Sequence, residues 1–156
     1  MQAKEGVIDL LNRHLTVELT AINQYFLLSE QSRNWGFERL YSKFRALSLE
    51  EMQDAEKLVA HILFLEGLPN MQRLNEVLAV ENVQEALDAG LATERGAVQF
   101  LTEAIQHCAQ VGDFYTRGMF EEMIAEESGH VDWFETQLET IARVGMERYL
   151  AQQIHV

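Results

Sequence analysis

Helix-breaking residues are scarce in this chain, and this constrains its fold more than any other feature. The single proline, Pro69, lies in the segment EGLPN, and few other positions interrupt the sequence. Because proline and glycine tend to end helices, their scarcity leaves long segments of unbroken helical periodicity. The pattern predicts four long helices followed by a short one. Their predicted bounds are 4–33, 37–66, 82–111, 114–144 and 146–153.

The connections between these segments predict how the helices pack. The segment NWG at 34–36 separates the first helix from the second. Gly67 is predicted to end the second helix, and Asp113 is predicted to cap the N-terminus of the fourth. Short connections favour antiparallel neighbours, whereas residues 67–81 are long enough to cross a whole bundle. The second and third helices can therefore lie parallel. We predict an all-α four-helix bundle with one long crossover and a short C-terminal helix, in one domain of residues 1–156.

Charge and composition narrow the classes of function. The chain of 156 residues carries a net charge of −13, which argues against nucleic-acid binding. It fits a protein that handles cations, although many soluble proteins are simply acidic. One cysteine, Cys108, excludes an intrachain disulfide, and no apolar run approaches the ~18 residues of a membrane span. No signal peptide is apparent, so we expect a cytoplasmic protein with neither membrane nor nucleic acid as partner.

A carboxylate interrupts the apolar stripe of each long helix close to its middle. The four positions are Glu18, Glu51, Glu94 and Glu127. One glutamate at the edge of a stripe can extend to water, but several unpaired carboxylates in one core would each cost several kcal/mol or stay protonated. The predicted stripes contain no basic partner. A bound cation cluster would resolve the conflict.

The donors near these positions suit hard and intermediate metal ions. Asp54 and His130 each follow a glutamate at i+3, so that five carboxylates and one imidazole face inward. Such donors suit Fe, Mn or Zn, and the arrangement is that of di-iron and di-manganese carboxylate bundles. Glu51 and Glu127 would bridge two ions, with Asp54 and His130 as terminal ligands. The predicted ligand set is Glu18, Glu51, Asp54, Glu94, Glu127 and His130.

Met52 points away from this face, because it is rotated by about 100° from Glu51 around the helix. From the residues alone it is a flexible core filler, a subunit contact or a ligand of another group. Tyr25 lies two turns after Glu18 and should neighbour the centre, either as an electron donor during O₂ reduction or, as we expect, as a core tyrosine with its hydroxyl hydrogen-bonded. The other histidines are predicted at the surface or rim of the bundle. They are His14, His61, His107 and His155.

The sequence resembles the bacterioferritins along nearly its whole length. The matching segments are ELTAINQYFL (18–27), NWGFERL (34–40), EEMQDAEKL (50–58), ILFLEGLPN (62–70), DFYTR (113–117), EESGHVDWFETQLE (126–139) and ERYLAQQI (147–154). The resemblance implies a ferritin-like fold and a hollow shell of 24 subunits built from two-fold dimers. It implies that O₂ or peroxide oxidises Fe(II) at an intrasubunit di-iron centre, that the shell stores the Fe(III), and that a small ferredoxin reduces it for release.

The resemblance also assigns roles to particular residues. It implies that Met52 from each of two subunits ligates haem b at their interface, with a pocket wall of Leu19, Ile22, Phe26 and Ala55. It implies a ferroxidase role for part of the ligand set. These catalytic residues are Glu18, Glu51, Glu94, Glu127 and His130.

Two departures from the family pattern bear on activity. Asp54 stands where fully active members place a histidine, and Ala46 with Leu47 replaces metal-binding residues at positions expected to face the shell cavity. Four glutamates and two Fe(II) are formally neutral, so an ionised Asp54 leaves the site at −1 and favours Fe(III). Our hypothesis is that two irons still bind. The alternative is a haem-binding storage subunit with weak ferroxidase activity that co-assembles with a more active subunit.

Overall fold

The computed structural model describes residues 1–156, and all of its regular structure is helical. The helices are α1 (Val7–Asn34), α2 (Glu38–Phe64), α3 (Val83–Val111), α4 (Phe114–Val144) and α5 (Met146–Ala151). The predicted four-helix bundle with a short C-terminal helix is therefore confirmed, and the predicted bounds of the fourth helix agree with those of α4. No helix combines the length and the apolar composition needed to cross a bilayer.

Polar caps fix where α3 and α4 begin. The Asn82 side chain accepts a hydrogen bond from the Glu85 amide, and the Asp113 side chain accepts one from the Thr116 amide. These side chains satisfy amides that a helix leaves without partners in its first turn. The predicted capping role of Asp113 is confirmed.

The end of α2 differs from the prediction. The helix ends at Phe64, and Glu66 takes the left-handed conformation, with φ 62°, that was expected of Gly67. The Gly67 amide then donates to the Ile62 carbonyl and closes the last turn. Glycine is needed there for space, because a Cβ at Gly67 would lie 2.7 Å from Cδ1 of Ile8.

The crossover between α2 and α3 runs along α1. Residues 65–82 contain no helix and hydrogen-bond to side chains spread along that helix. Their partners on α1, in order along the crossover, are Asn12, Thr20, Gln24 and Gln31. The chain thus returns from one end of the bundle to the other before α3 begins. Helix α3 therefore runs parallel to α2 and antiparallel to α1.

The apolar core is divided into two clusters of 13 buried residues each. Cluster one includes Leu11, Leu58, Leu101 and Phe120, and cluster two includes Tyr25, Phe44, Leu87 and Phe134. Each cluster takes residues from all four long helices, so the bundle is tightly packed on both sides of its middle. The predicted carboxylates occupy the layer between the clusters.

Candidate metal centre

Six ionisable side chains form the buried polar layer, and they are the six predicted ligands. Each is at most 7% exposed, and each long helix contributes at least one. They are Glu18 on α1, Glu51 and Asp54 on α2, Glu94 on α3, and Glu127 and His130 on α4. Because such a concentration of acidic groups is costly in a core, the layer needs either protons or cations to neutralise it.

The six side chains form two overlapping groups, each compact enough to surround one ion. Within a group, one donor atom from each residue lies within 4.8 Å of every other. The first group is Glu51, Glu94, Glu127 and His130, and the second is Glu18, Glu51, Asp54 and Glu127. Both groups contain Glu51 and Glu127. The geometry therefore suits two ions that share two bridging carboxylates.

The His130 ring joins this layer to a carboxylate nearer the surface. Its Nδ1 atom lies 3.3 Å from Glu94 and 3.4 Å from Glu51, facing the layer. Its Nε2 atom lies 2.7 Å from Oε2 of Glu50 on α2, whose side chain is partly exposed. A carboxylate on the far nitrogen fixes the orientation of an imidazole and makes it a better metal ligand.

Burial keeps protons on most of these carboxylates in the ion-free protein. It raises the pKa of Glu127 from 4.5 to about 11 and holds the pKa values of Glu18 and Glu51 well above their usual range. Burial acts in the same direction on Glu94, but hydrogen bonds with His130, Glu127 and Tyr25 outweigh it and lower that pKa. Most carboxylates of the layer therefore carry protons, which a bound cation would displace.

Asp54 lies inside the layer and not on the surface. It is 1% exposed, and burial together with nearby Glu126 raises its pKa from 3.8 to about 7. Nζ of Lys57 lies 4.0 Å from one carboxylate oxygen and opposes this shift, while the other oxygen, Oδ2, has no hydrogen-bond partner. The short side chain thus reaches the second group with a free donor atom.

Tyr25 closes the layer on the side of cluster two. Its hydroxyl donates a hydrogen bond to Oε1 of Glu94 at 2.5 Å, so the expected satisfied hydroxyl is confirmed. Its pKa is raised well above 10.0, chiefly by burial and next by the negative charge of Glu94. The phenol therefore stays protonated and orients Glu94.

The prediction that His14 and His61 lie at the surface or rim is wrong. His14 is fully buried, with Nε2 2.9 Å from Oε1 of Glu18, and burial lowers its pKa to about 3. His61 is 5% exposed and hydrogen-bonds with Thr116. The sequence contained a signal for His14, because a residue four positions before Glu18 lies on the same face of a helix. The core therefore places a neutral imidazole beside a carboxylate, which the predicted stripes did not include.

Met52 lies away from the metal centre, on the outer face of α2. Its side chain is 48% exposed, and Leu49 and Phe26 are 53% and 56% exposed. The Ser48 hydroxyl donates to the Ile22 carbonyl, which holds this part of α2 against α1. We call the exposed apolar side chains of Leu49, Met52 and Phe26 the outer apolar face.

One expectation about α2 is wrong, and another stays a prediction. Ala55, expected in the wall of a haem pocket, packs within cluster one and is 4% exposed, and its place in that wall stays a prediction. Leu47, expected to face the shell cavity, is buried within cluster two, whereas Ala46 beside it is exposed. Leu47 and Ala55 both lie on the apolar stripe that helical periodicity predicts for α2, and their burial confirms that stripe.

The chain matches the ferritin-like domain family over residues 8–144. It is 45% identical over 152 residues to a bacterioferritin of Mycolicibacterium paratuberculosis, covering 97% of this chain and 96% of the relative. Bacterioferritins of Brucella melitensis and Rhodobacter capsulatus are each 41% identical over 149 residues, covering 96% of this chain and 92% of the relative. With the four-helix bundle and the buried carboxylate layer, these similarities show that the chain belongs to the bacterioferritin family of ferritin-like iron-storage proteins.

Proposed function

We propose that this chain, folded as one domain over residues 1–156, is a cytoplasmic subunit of a 24-subunit shell that stores iron. It oxidises Fe(II) at an intrasubunit di-iron centre and binds haem b at the two-fold interface. The observation that carries the proposal is the pair of donor groups that share Glu51 and Glu127. A single structural ion would need one such group, whereas two adjacent groups suit a reaction that removes two electrons.

The proposed reaction balances with two Fe(II) as substrate. Each Fe(II) loses one electron, and O₂ takes up both electrons with two protons to give H₂O₂; peroxide as oxidant gives two waters instead. The carboxylates first release the protons they carry in the ion-free protein and then hold the ions in fixed positions. Fixed negative charge next to iron stabilises Fe(III) more than Fe(II) and so favours the oxidation.

Stopped-flow oxidation of Fe(II) tests the ferroxidase proposal. Glu18→Gln removes an anionic donor from the second group at nearly constant volume and should abolish the fast phase. Glu30→Gln is the matched control, because Glu30 lies on the same helix and is exposed. An unchanged fast phase in Glu18→Gln would contradict the proposed centre.

The outer apolar face supports the haem proposal. Met52 offers a thioether at a half-exposed position between apolar side chains, and a two-fold dimer would bring a second Met52 to face it. The residues fit a haem with one methionine from each subunit. Bound there, haem would supply an electron carrier, and a small ferredoxin would be the external reductant for iron release.

A second candidate function follows from Asp54 and Ala46. The chain would then be a haem-binding storage subunit with weak ferroxidase activity, assembled alone or with a more active subunit. Asp54→His separates the two functions in the same stopped-flow assay. A large gain in the fast phase would favour the weak-subunit function, whereas an already fast wild type would exclude it.

A further inference from the structure

His14 borders the proposed centre, and the proposed reaction does not use it. The side chain is fully buried on α1, one turn before Glu18, and neither ring nitrogen has a hydrogen-bond partner. Leaving a buried polar group unpaired costs about 1–3 kcal/mol. An imidazole retained in this position therefore calls for a partner that is neither an apolar side chain nor the backbone.

The group nearest to the ring is a proposed iron ligand. Nε2 of His14 lies 2.9 Å from Oε1 of Glu18, yet neither atom has an aligned hydrogen bond. Two donors that each lie ~2.1 Å from one metal ion, at a right angle to each other, are ~3.0 Å apart. The observed separation of 2.9 Å is compatible with two neighbouring ligands on a common ion.

Aromatic packing holds the ring in this orientation without a hydrogen bond. The imidazole stacks on Phe100 with a centroid distance of 5.5 Å and an interplanar angle of 2°. It meets Phe120 edge-on, with a centroid distance of 6.0 Å and an interplanar angle of 87°. Ligands whose orientation is fixed by packing are characteristic of built sites, because little ordering remains when the ion binds.

We propose that His14 is a further iron ligand, which binds through Nε2 the ion held by Glu18. Nε2 lies outside the second group of donors, so binding would draw the Glu18 carboxylate and its ion towards the ring. This inference rests on the proposed di-iron centre and adds a donor to it. Imidazole is a good ligand for iron and zinc and adds a donor without adding negative charge. Each of the two ions would then have one imidazole, His130 for one and His14 for the other.

X-ray absorption spectroscopy of the zinc-loaded shell tests the proposal directly, because imidazole rings give a distinct scattering pattern. Zinc does not change oxidation state, so the readout is independent of ferroxidase activity. At two zinc ions per subunit, the wild type should show an average of one imidazole per zinc. His14→Phe should show half that number and should bind one of the two ions at least ~10-fold more weakly, since loss of even an outer-shell partner costs 10–100-fold.

Three comparisons make the result decisive. His61→Phe is the matched control, because it replaces another buried histidine that hydrogen-bonds with Thr116, and it should leave both measurements unchanged. His14→Gln keeps a hydrogen-bond donor without the ring, so a full return of zinc affinity in this variant would overturn the ligand role. Thermal unfolding of each metal-free variant identifies any that fails to fold.

The outcomes also separate this inference from the proposed function. The wild type could bind two zinc ions with an average of only half an imidazole per zinc, and His14→Phe could leave that average unchanged. This result would overturn the role of His14 and leave the centre intact. A wild type that binds no zinc at Glu51 and Glu127 would overturn the proposed centre and this inference with it.

Discussion

Replacing Glu127 by glutamine should stabilise the metal-free protein and destabilise the metal-loaded one. The side chain is 1% exposed, and its pKa is about 11 in the folded protein instead of the ordinary 4.5. The folded protein keeps this proton at neutral pH, whereas the unfolded chain releases it above pH 4.5. A raised carboxyl pKa therefore gives stability that is present below pH 4.5 and is lost as the pH rises towards 11.

The size of the effect at pH 7 follows from the same difference. From pH 4.5 to pH 7 is 2.5 pH units, and each unit costs about 1.36 kcal/mol. The loss in the free energy of unfolding at pH 7 is therefore about 3 kcal/mol. Glutamine has nearly the same volume and cannot ionise, so Glu127→Gln should recover most of it. In a chain of this size, 1 kcal/mol corresponds to about 2–4 °C in Tm, and the variant should melt roughly 6–12 °C higher than the wild type.

Differential scanning calorimetry at two pH values provides the assay. At pH 4 the two metal-free proteins should melt at nearly the same temperature, because the wild-type carboxyl is then largely protonated in both states. Excess Zn(II) should reverse the order at pH 7, because ions at 1,000 times their Kd add about 4.1 kcal/mol to the wild type, which exceeds the variant's lead of about 3 kcal/mol, and add much less to the variant.

Glu139→Gln is the matched control, since Glu139 is an exposed glutamate on the same helix, and it should change neither Tm by more than about 1 °C. A metal-free Glu127→Gln that melts below the wild type at pH 7 would refute the reasoning. So would a zinc-induced rise in Tm that is equal in both proteins.

Three further predictions concern proton release, haem and packing. Zn(II) binding at pH 7 should release more than one proton per subunit into a weakly buffered solution, because cations displace the protons on Glu127 and its neighbours, and a constant pH would contradict this. Met52→Leu should lose the haem absorption band yet keep its Fe(II) oxidation rate, whereas retained haem absorption would exclude Met52 as the ligand. Gly90→Ala should lower the free energy of unfolding by about 1–3 kcal/mol, because the new Cβ would lie 2.3 Å from the Phe134 ring. Gly96→Ala is the control: a Cβ there would meet no atom within 4 Å, so this variant should be neutral or gain up to about 1 kcal/mol. Equal Tm shifts in the two variants would contradict this.

The helical periodicity of the sequence predicted the bundle and the depth of its carboxylates. Glu18, Glu51, Glu94 and Glu127 each lie where an apolar residue is expected, and a one-dimensional pattern places such positions in a common layer once the helices align. The family resemblance, and not the periodicity, selected iron and assigned haem to Met52. The similarity to curated bacterioferritins confirms the family.

The burial of two histidines and the end of α2 were not predicted, because both depend on contacts between residues that are distant in sequence. His14 and His61 were predicted at the surface or rim because neither forms an evident inward motif with a carboxylate. His14 is nevertheless held between Phe100 and Phe120, which belong to other helices. The left-handed residue at the end of α2 is Glu66, and Gly67 is needed instead for space, because a Cβ there would lie 2.7 Å from Ile8. Such choices depend on neighbours that are distant in sequence.

The central claim is that two irons bind between α1, α2, α3 and α4 and share Glu51 and Glu127. Crystals soaked anaerobically with Fe(II), with anomalous scattering measured at the iron edge, test it most directly. We expect two peaks per subunit in the buried layer, one beside Glu94 and His130 and the other beside Glu18 and Asp54. A single peak per subunit, or peaks only outside this layer, would contradict it.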